Sequence, residues 1–191
     1  MNINMNKLVL VDENDNVIGI EDKMFVHQAG MLHRAFSIFL FRKTDNNLQL
    51  LLQKRHINKY HSGGLWTNSC CGHPGINEDI IFAANRRLKE ELGIDVKLYY
   101  LDYFIYKAQI NSEYLSSLIE HELDHVLIGI YQDLKVVLDP NEVDEIKWIN
   151  MVDFELELLN FPNHFTVWLS LAWDVVKKNL LFINKLLEVV N

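Results

Sequence analysis

Between Gly72 and Ile94 the charged residues fall at intervals that suit one helix face. Gly72 is followed after five residues by Glu78, and after seven more by Arg86, then Arg87, Glu90, Glu91, Gly93 and Ile94. Residues three and four apart on a helix are neighbours, so Arg87 and Glu91 share a face. A loop feeding such a helix could hold a divalent cation with its carboxylates and phosphate oxygens with its guanidinium. An ordinary charged helix braced by Glu–Arg pairs has the same spacing.

A second set has the composition of a metal site. His27 and His33 flank a short turn, His73 follows the pair Cys70–Cys71, and Glu120 and Glu122 form E-x-E. In a strand the period of two puts both glutamates on one face. Three imidazoles and two carboxylates suit Zn, Mn or Fe in five- or six-coordination, but spacing alone does not bring them together. His56, His61, His121, His125 and His164 read as surface or core residues, with His121 facing away from the two glutamates. The cations of QKRHINKYH (Lys54, Arg55 and Lys59) read as a solvated strand edge and turn.

These side chains need elements to position them. KLVLVD and VIGIE around ENDN predict a hairpin over about 7–21. Residues 22–29 predict a short helix. AFSIFLF (35–41) is apolar at nearly every position, as in a strand buried on both faces. LQLLLQ (48–53) should pair with it across KTDNN. A Gly-rich stretch then leads to a helix over 77–92, with Asn77 as N-cap and Gly93 as the stop. Strands are expected at 96–107, 120–134 and 146–149, a helix at 152–159, and one long amphipathic helix or two over about 164–190. Strands interleaved with helices argue for one layered α/β domain spanning 1–191.

Composition narrows the function classes. With 191 residues, 49% apolar and 23% charged, the chain has the balance of a folded globular protein. A formal charge of −8 argues against a nucleic-acid partner. No apolar run is long enough for a membrane span. The opening residues lack a signal or transit pattern, and two adjacent cysteines cannot staple a fold, so a reducing cytoplasm is the expected setting. The acidic stretch 139–157 reads as a solvated face.

The segment 72–94 resembles the Nudix box, G-x5-E-x7-R-E-U-x-E-E-x-G-U, with one departure: Arg87 stands where the box has a metal-binding Glu. An Arg there binds phosphate rather than metal, which points to gripping a diphosphate rather than cutting it. HQAGMLHRAFS (27–37), LWTNSCCGHP (65–74), RRLKEELG (86–93) and EHELDHVL (120–127) together resemble the type I isopentenyl-diphosphate isomerases of the Nudix superfamily. The likeness extends from about residue 7 to residue 173.

That resemblance implies a Nudix α/β/α sandwich with a mixed sheet, a box loop and helix over 72–94, and a C-terminal helical tail. It implies Cys71 as the catalytic cysteine, with Cys70 at a variable position. His27, His33, His73, Glu120 and Glu122 match the ligands of one divalent ion, Mn2+ or Zn2+. Glu91 and the Cys71 carbonyl match contacts of a Mg2+ that accompanies the substrate. Lys23, Arg55, Lys59 and Arg87 match the diphosphate grip, Tyr106 the active-site tyrosine, and Trp168 the tryptophan beside the reacting carbons. The segment 109–119 is longer than in compact bacterial members.

The implied reaction converts isopentenyl to dimethylallyl diphosphate, in isoprenoid biosynthesis, through a tertiary carbocation. It needs an acid and a base across a dry slot: the Glu122–Tyr106 side to protonate and Cys71 to deprotonate. An aromatic face would stabilise the cation, with Trp168 as candidate and Trp66 as a helper. The expected partner is this small molecule, with no nucleic acid or membrane, on a monomer or homodimer. The alternatives are a Nudix hydrolase of a nucleoside diphosphate derivative and a non-catalytic module binding isoprenoid diphosphates.

Overall fold

The computed structural model describes residues 6–44, 47–110, 118–132 and 135–190. Two stretches singled out in the sequence, the centre of KTDNN and most of 109–119, lie outside the described residues. Strands β1 (Lys7–Val11) and β2 (Val17–Asp22) form the hairpin. Its turn is tied by the Asp12 carboxylate, which accepts from the Asn14 and Asn16 amides at 2.9 Å. Helix α1 (Lys23–Ala29) follows, capped by Asp22, which accepts from the amides of Met24 and Phe25.

The centre of the sheet is the parallel pairing of β3 (His33–Lys43) with β8 (Leu118–Ile130), in register from His33↔Glu122 to Phe41↔Ile130. Strand β7 (Leu98–Ile110) pairs antiparallel with the outer edge of β8. The apolar run of β3 is buried on both faces. Ile38 and Leu40 face helix α2 (Ile80–Leu92), packing with Ala84, Leu88 and Leu127. Phe39 and Phe41 face α4 (Val167–Lys178), packing with Leu169, Trp173 and Val176. Helices on both faces of a mixed sheet give the expected α/β/α sandwich.

Strand β4 (Leu48–Arg55) meets β3 only at its tip, from Phe41↔Leu50 to Lys43↔Leu48. Pairing along the whole run was the expectation. Instead the two strands part, and a short segment fills the fork. It carries β5 (Trp66–Thr67), paired with β4, and β6 (Cys70–Gly72), paired with β3. Side chains there replace lost ladder bonds. The Ser69 hydroxyl accepts from the Leu40 amide at 2.8 Å and donates to the Leu51 carbonyl at 2.7 Å. The Asn68 amide donates to the carbonyls of Ile38 and Cys70 at 3.2 and 2.6 Å. The TNS of the motif is thus a polar plug, as buried backbone groups require.

The box helix begins later than its sequence suggested. Asp79, not Asn77, caps α2, accepting from the amides of Ile81 and Phe82. Asn77 adopts φ 59°, left-handed, in the preceding turn. Gly93 ends α2 with φ 68°, a conformation that favours glycine. Strand β9 (Val143–Asn150) pairs with β4 and leads into α3 (Met151–Asn160). The tail is two helices, α4 and α5 (Leu180–Val190), parted at Asn179.

Candidate active site

One cavity of about 270 Å³ gathers most of the predicted residues. Cys71, His73, Glu91, Glu120, Glu122 and Trp168 line it, as do Lys23, Arg55, Lys59 and Arg87. His27, His33 and Tyr106 stand behind this lining in contact with it. They arrive from several elements: His27 from α1, His33 from the start of β3, Glu120 and Glu122 from β8, Tyr106 from β7 and Trp168 from the first turn of α4.

The imidazoles and glutamates converge. Nitrogens and oxygens of His27, His33 and His73 lie within 4.8 Å of one another, as do those of His33, Glu120 and Glu122. His27 Nδ1 lies 2.6 Å from the Lys23 carbonyl and His33 Nδ1 lies 3.0 Å from the Met31 carbonyl. A carbonyl only accepts, so both Nδ1 atoms carry a proton, and in the neutral rings both Nε2 lone pairs face the cluster. His33 Nε2 and both oxygens of Glu120 are buried without an aligned hydrogen-bond partner. Orphaned acceptors in a chain 1% exposed at Glu120 are costly unless a cation fills the space between them. This donor set fits a divalent ion.

Charge coupling within the cluster is strong. Burial and the Glu120 carboxylate push the Glu122 carboxyl up, but His33 and His73 outweigh them and hold it at about 2. Burial drives the His73 imidazole down to about 4 despite Glu122 at 3.0 Å. The Tyr106 hydroxyl donates to Glu122 Oε2 at 2.7 Å. Asp124, next on the same face of β8, is pushed well above the usual carboxylate range by burial and by Glu122, and accepts from the Ser37 hydroxyl at 2.8 Å.

Cys71 and Glu122 flank β3 on its two sides, paired with Ser37 and His33 respectively. Burial pushes the Cys71 thiol up to about 12, opposed by Arg55, whose Nη1 stands 3.7 Å from the sulfur. Cys70, fully buried, points into the apolar core beside α2. Trp168 donates from Nε1 to Asn68 Oδ1 at 3.3 Å, so the motif plug also holds the aromatic wall. The Arg55 guanidinium lies 5.4 Å from the Trp168 ring centroid. Trp66 does not line the cavity; it packs against the core behind, with Lys147 over its ring.

Arg87 and Lys59 already have carboxylate partners. Arg87 bonds Glu91, reaches Glu90 at 2.7 Å and Glu142 at 3.5 Å, and Lys59 bonds Glu142. Glu91 also accepts from Gln53 at 3.2 Å. Glu142 therefore belongs to the cavity wall, which corrects the reading of 139–157 as a merely solvated face. Nothing in its acidic surroundings distinguished it. Lys54, by contrast, stays outside the lining. His121 turns away from its glutamate neighbours to the Gly30 carbonyl at 2.9 Å.

His61 corrects a second expectation. It is not a surface or remote core residue but a member of the cluster, 8% exposed, with Nε2 3.0 Å from Glu120 Oε1. A lone histidine in a Gly-rich loop gave no periodic signal of this.

Comparison with known proteins agrees with the geometry. A NUDIX domain matches residues 31–169. Isopentenyl-diphosphate Delta-isomerase 2 of Photorhabdus laumondii is 50% identical over 161 residues, covering 84% of this chain and 86% of that protein. The protein of the same name from Aromatoleum aromaticum is 44% identical over 170 residues, covering 89% and 86%. A crystal structure from Deinococcus radiodurans superposes with a TM-score of 0.65 at 21% identity, covering 90% of this chain and 98% of that one. No helix among the described residues is long and apolar enough to cross a membrane.

Proposed function

The chain belongs to the NUDIX family and, within it, to the isopentenyl-diphosphate Delta-isomerases, and from that premise we propose that it converts isopentenyl diphosphate to dimethylallyl diphosphate. The observation that carries this reading is the placement of Cys71 and Glu122 on either side of β3, lining one cavity with Lys23, Arg55, Lys59 and Arg87. The reaction adds a proton to the terminal methylene carbon, forms a tertiary cation, and removes a proton two carbons away. An acid and a base lining one slot meet that need.

Glu122 with Tyr106 is assigned the protonating side. Tyr106 already donates to Glu122, so a proton can pass between them and be replaced. Cys71 is assigned the deprotonating side. Its sulfur must then carry charge, which burial resists and Arg55 favours. Trp168 presents an aromatic ring to the cavity and offers no nucleophile to trap the cation, a contribution of about 2 kcal/mol when water is excluded. Lys23, Arg55, Lys59 and Arg87 hold the diphosphate, whose remote binding energy aligns the alkenyl chain. Arg87 does this where a hydrolase of the same fold has a metal-binding carboxylate.

His27, His33, His73, Glu120 and Glu122 are assigned to one divalent ion, Mn2+ or Zn2+, and Glu91 with the Cys71 carbonyl to a substrate-borne Mg2+. Bound cations supply positive charge that shifts the acidity of neighbouring groups and neutralises phosphate oxygens. Arg87 and Gln53 keep Glu91 at the cavity wall until then. A reducing cytoplasmic setting suits the free thiol of Cys71.

The test is proton NMR of isopentenyl diphosphate incubated with the chain and Mg2+ in D2O. Dimethylallyl signals with deuterium incorporation are expected. An unchanged spectrum, with nucleotide or phosphate released from nucleoside diphosphate derivatives, would assign the cavity to hydrolysis instead.

A further inference from the structure

We propose that His61 is a positioning residue for Glu120, holding that carboxylate from outside the metal-ligand set. The proposal rests on the metal site assigned above. Two imidazoles approach the same oxygen, Glu120 Oε1: His27 Nε2 at 3.4 Å and His61 Nε2 at 3.0 Å. They are held differently. His27 has its Nδ1 proton fixed by a backbone carbonyl, so in the neutral ring its Nε2 is a lone pair turned toward Glu120. The Nδ1 of His61 instead faces the Ser62 hydroxyl at 3.3 Å. A hydroxyl can donate as well as accept, so no carbonyl holds the His61 proton on Nδ1, and Nε2, the nitrogen beside Glu120, can carry it. His27, His61 and Glu120 bring their ligand atoms within 4.8 Å of one another, and the Nδ1 partners set the two rings apart: His61 can turn an N–H toward the carboxylate, whereas the neutral rings of His27 and His33 offer Nε2 lone pairs.

The surroundings fix the ring. The Arg55 guanidinium donates to the His61 carbonyl at 3.3 Å. The ring stands edge to face with Tyr60 and Trp168, at 4.3 and 6.0 Å between centroids. The loop leaves little freedom: Ser62 has φ 51°, and a Cβ on Gly63 would come within 2.2 Å of the Ile57 carbonyl oxygen. His61 therefore links the aromatic wall to the metal cluster. A partner that orients a liganding carboxylate typically changes metal affinity about 10–100-fold when removed.

The test compares Mn2+ affinity of the full chain and three variants, with free Mn2+ read by electron paramagnetic resonance and folding checked by circular dichroism. His61→Ala should bind Mn2+ about 10-fold or more weakly. His61→Gln keeps an N–H near the Nε2 position but no imidazole, and should stay within about 3-fold of the parent. His73→Asn, a change to an assigned ligand, is the reference. Parent-like affinity in His61→Ala would overturn the proposal. So would equal losses in His61→Ala, His61→Gln and His73→Asn, because the imidazole would then be a ligand itself. Parent-like affinity in His73→Asn would instead undo the metal-site reading beneath it.

Discussion

The two halves of the β3–β8 pair share one parallel ladder, but buried charge and imidazole are confined to one of them. From Ile38 and Leu127 onward the strands carry Phe39, Leu40, Phe41, Ile128 and Ile130, with apolar packing on both faces. Before that point the same two strands carry His33, Ser37, Glu120, Glu122 and Asp124, all buried. The first half repays burial by removing apolar area from water, about 25 cal/mol per Å². The second half carries orphaned acceptors and close like charges, which favour folding only once a cation joins them. The backbone pairing therefore does not decide which half is stable by itself; the side chains do. The apolar half anchors the register that the polar half needs.

The largest expected effect separates adjacent residues. Cys71→Ala should lower turnover by about 10²–10⁴-fold, the span of one proton-transfer group, with folding intact. Cys70→Ala, a truncation in the core, should change stability and leave turnover of the folded enzyme alone. Equal losses of turnover in both would remove the assignment to Cys71. In the apolar half, Phe41→Ala should cost about 3–5 kcal/mol of stability, read by urea unfolding, with little change in Mn2+ bound per folded chain. If metal affinity fell as far as in His33→Asn, the two halves would not be separable.

Metal removal probes the other half. Chelation should destabilise the chain by about 2.7 kcal/mol if it had been held at 100 times its dissociation constant, and re-addition should restore it. No shift in melting temperature would mean that the polar half stands without a cation. Arg87→Glu, which places a further carboxylate beside Glu90, Glu91 and Glu142, should weaken diphosphate binding by about 10-fold or more, roughly 1.4 kcal/mol. Unaltered binding by calorimetry would remove Arg87 from the grip. The smallest effect is a rate profile. Burial holds the Cys71 thiol near 12 in the metal-free chain, above its ordinary value, so the reactive thiolate is scarce at pH 8. Alkylation of Cys71 should be slow there and keep rising with pH past 9; a plateau below pH 8 would show that Arg55 prevails over burial.

Much of this could be read from the sequence, for physical reasons. The box helix announces itself by spacing, and E-x-E by strand period, because those periodicities are local. The stop at Gly93 is equally local. The cap was misplaced by two residues because Asn77 and Asp79 both suit a helix start, and only the left-handed turn at Asn77 decides between them. The fork between β3 and β4 is invisible in two apolar runs, since apolar character does not name a partner strand. His61 and Glu142 were missed for one reason: both sit in loops, where position relative to the cavity is set by tertiary packing and leaves no repeat to detect.

Strand β3 also serves as a ruler. His33 sets the level of Glu122 and Ser37 that of Cys71, and four strand residues measure about 13 Å along the chain. The separation of the two candidate proton-handling groups is thus graduated in whole residues, not adjusted continuously. Deleting one residue between His33 and Ser37 would shorten that interval by one graduation and turn half the strand to its opposite face. The two proton transfers act on carbons only two apart, so closing the rest of that interval is left to the side chains that lean inward from either mark.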